Sequence, residues 1–358
     1  SGVWIMAYTT VDNPELYFQN KIYTGTGSSN ALTLDGSENM QPDWVWIKCR
    51  NDSHNNNLFD SVRGGTKRIY SNETDAESTH AESLKSFDSD GFTLGTQTNI
   101  NQSSATFASW SWKAGTTGSG TTTGSGTGKA YSYSVSTAGG FSIIKYLGNG
   151  SAGQTIPHHL GAVPHTIILK PLDRTDNWRV YHHKMDSSAP EDYHLKLNTS
   201  AVRTNASDIW NDTAPTSTVF TLGANAGVVA NDEEFVAYCF TEKKGYSKFG
   251  SYVGNGNADG TMVYTGFRPA WVMIKANDSA DWTINDVARD PVNVNNLRLF
   301  PNDYKVEESG SNSMDMLSQG FKLRSTDSGN NGNGNTNYYW AFAEAPFTSS
   351  SGAIANAR

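Results

Sequence analysis

Only two of the 358 residues are cysteine, Cys49 and Cys239, so a disulfide scaffold is excluded. Both sit in strand-like text far apart, and two separate buried thiols are expected. Helical text rich in Ala, Leu, Glu and Lys is scarce, which leaves no pattern for long helices. Positive charge is short as well: 27 Lys and Arg stand against 35 Asp and Glu, a formal net charge of −8. A phosphate backbone would be repelled, and nucleic acid is not expected as a partner. No apolar run approaches the roughly 18 residues of a membrane-spanning helix, so no membrane span is expected. The opening SGVWIMAYTT has neither a basic start nor a long apolar stretch and does not read as a signal peptide. Met6 within it reads as a translation start preceded by five extra residues.

What the chain does hold is turn and strand text. It has 34 Gly, much Ser, Thr and Asn, and 11% aromatics, the balance of short strands joined by many turns. Three lines recur near one-hundred-residue spacing: QPDWVWIKCR from Gln41, VPHTIILKPL from Val163 and RPAWVMIKAN from Arg268. Each is a Pro followed by a period-two apolar run and a Lys. Proline is tolerated at the head of a strand, and alternation places one set of side chains on each face. The run is apolar on more than one face, which suits an inner strand, and its Lys is read as the point where that strand surfaces.

Two more signatures frame the Pro line. YTGTG, YLGNG and YVGNG begin at Tyr23, Tyr146 and Tyr252, and the Pro follows 19, 18 and 17 residues later. Phe92, Phe220 and Phe321 precede Trp110, Tyr238 and Trp340 by 18, 18 and 19 residues. Each of those closing aromatics has a partner two residues on: Trp112, Phe240 and Phe342. Aromatics at i and i+2 share one face of a strand. The expected fold is all-β, with three tandem antiparallel β-sandwich, jelly-roll-like modules of about one hundred residues. The boundaries read as an N-terminal segment 1–16, a first module 17–114, a Gly/Thr/Ser linker 115–139, a second module 140–245, a third module 246–347 and a tail 348–358. The linker reading rests on GTTGSGTTTGSGTG, which has no side chain larger than Thr. The short TEKKGYSKFG between the second and third modules predicts that those two are packed in a fixed relation.

The runs MAYTTVDNPELYFQNKIYTGTGSS, MQPDWVWIKCR, SFDSDGFTLG and WSWKAG, with GFSIIKYLGNGSAGQTIPHHLGAVPHTIILK in the middle, resemble repeat-bearing virion and tail-fibre-type structural proteins of marine tailed phages. The resemblance covers nearly the whole chain and its motifs are structural. It implies a virion surface role and assembly in the host cytoplasm, with no catalytic residues to carry over. His159 departs from the pattern, which there more often has a small residue such as Gly.

Candidate chemistry is sparse. Six of eight histidines (His158, His159, His165, His182, His183 and His194) fall within 37 residues. Adjacent histidines leave a strand on opposite faces, so turn and surface positions are the favoured reading and no metal is expected. DSDG at 88–91 opens like a calcium loop but lacks the later acids, so it reads as a turn. The acids Asp43, Asp60, Glu233 and Glu234 have no spacing that fixes a glycosidase pair. Eight Asn-x-Ser/Thr triplets, among them those at Asn72 and Asn198, match a glycosylation pattern that an Asn/Ser/Thr-rich chain meets by chance. Three tryptophans remain as ligand-binding candidates. Trp178 in DNWRVYHH and Trp282 in ADWTIND sit among polar residues, and Trp210 in ASDIWNDTAP is loop-like. A half-exposed indole beside polar groups can stack on a sugar ring; for Trp178 and Trp282 module core is the favoured reading, with subunit contact a further one, and Trp210 is the better surface-contact candidate.

The expected function is a non-enzymatic phage virion component (tail fibre, spike or outer surface protein) that attaches to host surface glycan and needs no cofactor. A purely structural capsid or tail decoration protein is one alternative, and a polysaccharide-degrading enzyme is another. Expected partners are other virion proteins, host cell-surface polysaccharide and copies of the chain itself, as a trimer. Ligand contacts are expected in loops that differ between modules, at 71–84, 186–215 and 292–316.

Overall fold

In each third of the chain the strand that ends in the tyrosine signature pairs with the closing aromatic strand, which pairs with the Pro line, which pairs with the strand after it. The computed structural model describes residues 9–349, the side chains of 311 and 312 excepted; the reading of Met6 and that of the tail from 350 on lie outside the described residues. In the first third the order is Phe18–Thr24, Thr106–Trp112, Trp44–Cys49, Asn57–Asp60. In the second it is Phe141–Leu147, Glu234–Phe240, Thr166–Pro171, Arg179–His182, and in the third Ser247–Val253, Thr336–Pro346, Phe267–Ala276, Thr283–Asp286. All these pairings are antiparallel, and the chain is an all-β protein of several antiparallel sheets. Among the described residues the α-helices are single turns such as Thr98–Asn101, and no helix is long and apolar enough to cross a membrane.

Each of the three sheets uses both faces, as the all-round apolar Pro lines require. In the first third Val45, Ile47, Cys49 and Phe107 pack with Phe92 and Leu94 of a smaller sheet, closing a sandwich. The intervening Trp44, Trp46, Trp110 and Trp112 turn the other way and join a central cluster with Ile168, Tyr238, Phe240, Trp271, Trp340 and Phe342. The third Pro line divides likewise, Val272 and Ile274 into its own sandwich and Trp271 and Met273 into the centre. Residues in the same register of the three sheets meet there. Trp112, Phe240 and Phe342 form a triangle with ring centroids 5.5 to 6.5 Å apart. The three sheets therefore share one aromatic core about a pseudo-threefold axis instead of standing as beads on a string.

Two sequence readings are corrected here. Residues 115–139 are not a free linker: Thr116–Thr121 and Ala130–Ser136 form a hairpin that adds two strands to the second large sheet beside Phe141–Leu147. Gly118 lies opposite Tyr133 and Gly120 opposite Tyr131, and each tyrosine ring covers its glycine so closely that a Cβ would fall 2.6 to 2.7 Å from the phenol oxygen. The tyrosines supply the side-chain surface that the glycines lack. Nor do the Pro-line lysines mark a surface. Lys48, Lys170 and Lys275 are fully buried. Cys49 and Cys239 are free and buried, as expected.

Candidate functional site

Burying an ammonium requires acceptors, and the three lysines find them at equivalent places. Each donates to the carbonyl of the residue after it and crosses to a neighbouring third of the chain. Lys48 reaches Tyr304 O at 3.2 Å, Lys170 reaches Thr74 O at 3.1 Å, and Lys275 reaches Ser200 O at 3.1 Å. The first third thus holds the third, the second holds the first, and the third holds the second, a closed ring. Burial nevertheless pushes all three ammoniums down to about 8.

The same ring consumes two of the predicted ligand-binding tryptophans. Trp178 and Trp282 are 0% exposed and Trp210 is 2% exposed, so none presents a face to a sugar. The Trp178 indole N–H donates to Tyr70 O at 2.9 Å, and that of Trp282 donates to Lys196 O and Thr199 O at 3.2 Å. Asn56 takes the equivalent place in the first third, donating to Phe300 O and Asp303 O. The three residues are anchored alike, each backbone N–H donating to an asparagine Oδ1, of Asn72, Asn198 and Asn302 respectively. Trp210 ends a one-turn helix and packs edge-on against Tyr181 and Phe220. The variable loops expected to hold a ligand instead supply these accepting carbonyls.

The closing aromatics make a second ring of contacts between the thirds. Tyr238 Oη donates to Asp60 Oδ2 at 2.7 Å, Trp110 Nε1 donates to Asp286 Oδ2 at 3.0 Å, and the Trp340 ring meets His182 edge-on at 4.7 Å. Asp60 and Asp286 each pair as well with an arginine three residues on, Arg63 and Arg289. Asp60 is thereby committed. The other acids weighed as a glycosidase pair are engaged too: Asp43 accepts from Ser61 Oγ and the Ala114 N–H, Glu233 pairs with Arg174 and Glu234 with Lys145. Asp88 and Asp90 of the DSDG turn accept from Ser86, Thr93 and the Met40 N–H.

The histidines serve the second third's boundaries. His159 stacks on Tyr133 at 3.7 Å, bonds Tyr131 Oη and holds a φ of 60°, a left-handed conformation that glycine adopts more readily. His158 is buried and bonded to Thr216 O. His183 Nε2–H donates to Phe249 O at 2.6 Å, while Glu242 Oε1 accepts the Phe249 N–H at 2.9 Å. Together these two side chains act on the edge strand Ser247–Val253 as a further strand would. His165 Nδ1 accepts the Glu242 N–H at 3.1 Å, which leaves the ring proton on Nε2. Burial pushes His183 down to about 4 and lowers His165 as well. Among the described residues no group of three or more His, Cys, Asp or Glu is arranged to hold a metal ion.

Beside this latch opens a cleft of about 560 Å³ between the second and third large sheets, lined by His165, Glu242, Lys244, Lys248, Tyr264 and Phe347 among others. Tyr264 is 60% exposed and is the half-open aromatic among polar groups that was sought in the tryptophans. Sequence reasoning missed it, although the short TEKKGYSKFG connection already placed two packed modules there. The chain belongs to the family described as a domain of unknown function, DUF7483, whose model matches residues 13–346. No curated protein and no solved structure matches it.

Proposed function

We propose that the chain is a non-enzymatic structural component of a virion surface, of the tail-fibre, spike or outer-surface type, assembled in the host cytoplasm. The supporting observation is the use made of its reactive side chains. Buried lysines, indoles and carboxylates join the three sheets into one body, which is the requirement of a rigid platform. A pseudo-threefold body also suits a threefold particle axis, so partnership with other virion proteins and homo-oligomers, trimers first, belong to the same reading. Immunogold labelling of intact particles with an antibody to the chain tests it: label on the particle surface is expected, and particles free of label would overturn it.

A second role, attachment to host surface glycan, is favoured by the open cleft with its exposed Tyr264. Many weak contacts on one particle then add by avidity. Incubation with surface polysaccharides separates attachment from degradation, since release of reducing ends would favour the enzymatic alternative.

A further inference from the structure

We infer that the cleft between the second and third large sheets binds a carboxylated sugar unit of an acidic polysaccharide, an inference that rests on the attachment reading. The chain carries its own comparison. Three clefts occupy equivalent seams beside the heads of the Pro lines, at Asp43, His165 and Ala270. The scaffold positions of the three sheets are alike, three buried lysines and three axial aromatics, whereas these cleft positions have diverged to an acid, an imidazole and a methyl group. The seam at Ala270 encloses only about 170 Å³. The seam at Asp43 encloses about 520 Å³, with its carboxylate already satisfied by Ser61 and the Ala114 N–H.

The seam at His165 is differently equipped. Lys244 and Lys248 line it beside one acid, Glu242, in a chain of net charge −8. Glu242 is tied to the Phe249 N–H through Oε1, and its other oxygen lies 3.5 Å from Lys248 Nζ. An ammonium has three donors, so Lys248 retains capacity for a ligand carboxylate. The His165 ring adds a neutral N–H donor. Tyr264 projects from the edge strand Met262–Tyr264 and Phe347 lies near it, giving an apolar wall for a pyranose face. The volume falls in the range of small-ligand sites. An aromatic wall, hydroxyl-directed donors and the remaining donors of the Lys248 ammonium select a sugar that bears a carboxylate.

The test titrates the full chain with tetramers of mannuronate, galacturonate and glucuronate, and with neutral tetramers of mannose, galactose and glucose, by calorimetry or ligand-observed NMR. At least one uronate tetramer should bind about tenfold more tightly than its neutral counterpart and weaken as salt is added. Tyr264→Ala and Lys248→Ala should each lower that affinity about tenfold or more, as loss of an aromatic anchor or a charge partner does. Both positions reach solvent, and an unchanged urea midpoint verifies the fold of each variant. Equal binding of acidic and neutral tetramers would overturn the carboxylate assignment. Uronate binding indifferent to both substitutions would overturn the site yet leave glycan attachment standing. Failure of all six tetramers, with purified host polysaccharide still bound, would likewise remove this inference alone. If the host polysaccharide is not bound either, the attachment reading falls with it.

Discussion

Replacing Lys275 by methionine sets two buried effects against each other. Burial pushes the ammonium from 10.5 down to about 8, so carrying the charge inside costs roughly 3 kcal/mol, and methionine relieves that cost. Four carbonyl oxygens then lose a donor, those of Ser200, Ala276, Asp278 and Ala280, of which Asp278 O keeps the Ala280 N–H. A buried acceptor left unsatisfied costs roughly 1–3 kcal/mol. At about 1.5 kcal/mol for each of the other three the carbonyls prevail, and Lys275→Met should destabilise by about 1.5 kcal/mol. Lys170 has a similar shift and three acceptors, Thr74, Pro171 and Asp176, but Thr74 O keeps the Asp176 N–H, so Lys170→Met should cost far less. Lys48 has two, Cys49 and Tyr304, and Lys48→Met should be near neutral. Urea unfolding at pH 7 followed by tryptophan fluorescence measures all three, since the native ammoniums are still largely protonated there. The sign with pH is also fixed. Between pH 8 and 9.5 the native state has released protons that the unfolded chain retains, so wild-type stability should rise, and each Lys→Met variant should show a shallower rise. Equal losses in the three variants, or the reverse order, would refute the carbonyl account and assign the cost to packing of the aliphatic stems.

Burial pushes His158, His183 and His194 down to about 4 from 6.5; the unfolded chain therefore binds more protons below pH 6.5, and the stability these neutral rings hold above that pH should be lost progressively toward pH 4. The urea midpoint measured across that window should fall, and a flat profile would contradict the burial of these rings. Phe342→Ala, at the meeting point of the three sheets, should cost about 3–5 kcal/mol and keep a single unfolding transition; a separate early transition of the third sheet would show that the centre is not shared. Gly91→Ala should destabilise by more than about 1 kcal/mol, because φ there is +119° and the new Cβ would stand 1.9 Å from Leu32 O. An unchanged midpoint would remove the strain argument.

Strand text, repeat period and the i, i+2 aromatics were legible because periodicity reports which side chains share a face. What lies over that face is a tertiary matter. Trp178 and Trp282 carry polar neighbours in the sequence, which reads as exposure, yet those neighbours line a seam whose carbonyls the indole N–H groups need. The Pro-line lysines mislead for a related reason. A Lys at the end of an apolar strand ordinarily surfaces, and only the loops of a neighbouring repeat, distant in sequence, supply the oxygens that hold it inside. The glycine-rich stretch misleads through its small side chains, since the bulk that makes it a strand is lent by Tyr131 and Tyr133 across the hairpin. In the cleft no single residue is unusual; Tyr264 and His165 come together only because the second and third thirds of the chain meet there.

Internal repetition gives a way to separate scaffold from function within one chain. A feature present in all three thirds is explained by what the thirds share, a ring of contacts about one axis. The buried lysines, the Asn56, Trp178 and Trp282 clasp and the axial aromatics all belong to that class. A feature present in one third is free of that requirement, and the His165, Glu242 and Tyr264 cleft is such a feature that also reaches solvent. Not every singular feature qualifies. The hairpin Thr116–Thr121 and Ala130–Ser136 also occurs once among the described residues, but its tyrosines and His159 cover one another, so its aromatic surface serves to extend a sheet. Residues whose counterparts in the other repeats differ, and whose polar atoms are not consumed at a seam, are thus where substitutions should alter binding without altering stability. Residues alike in all three should do the opposite.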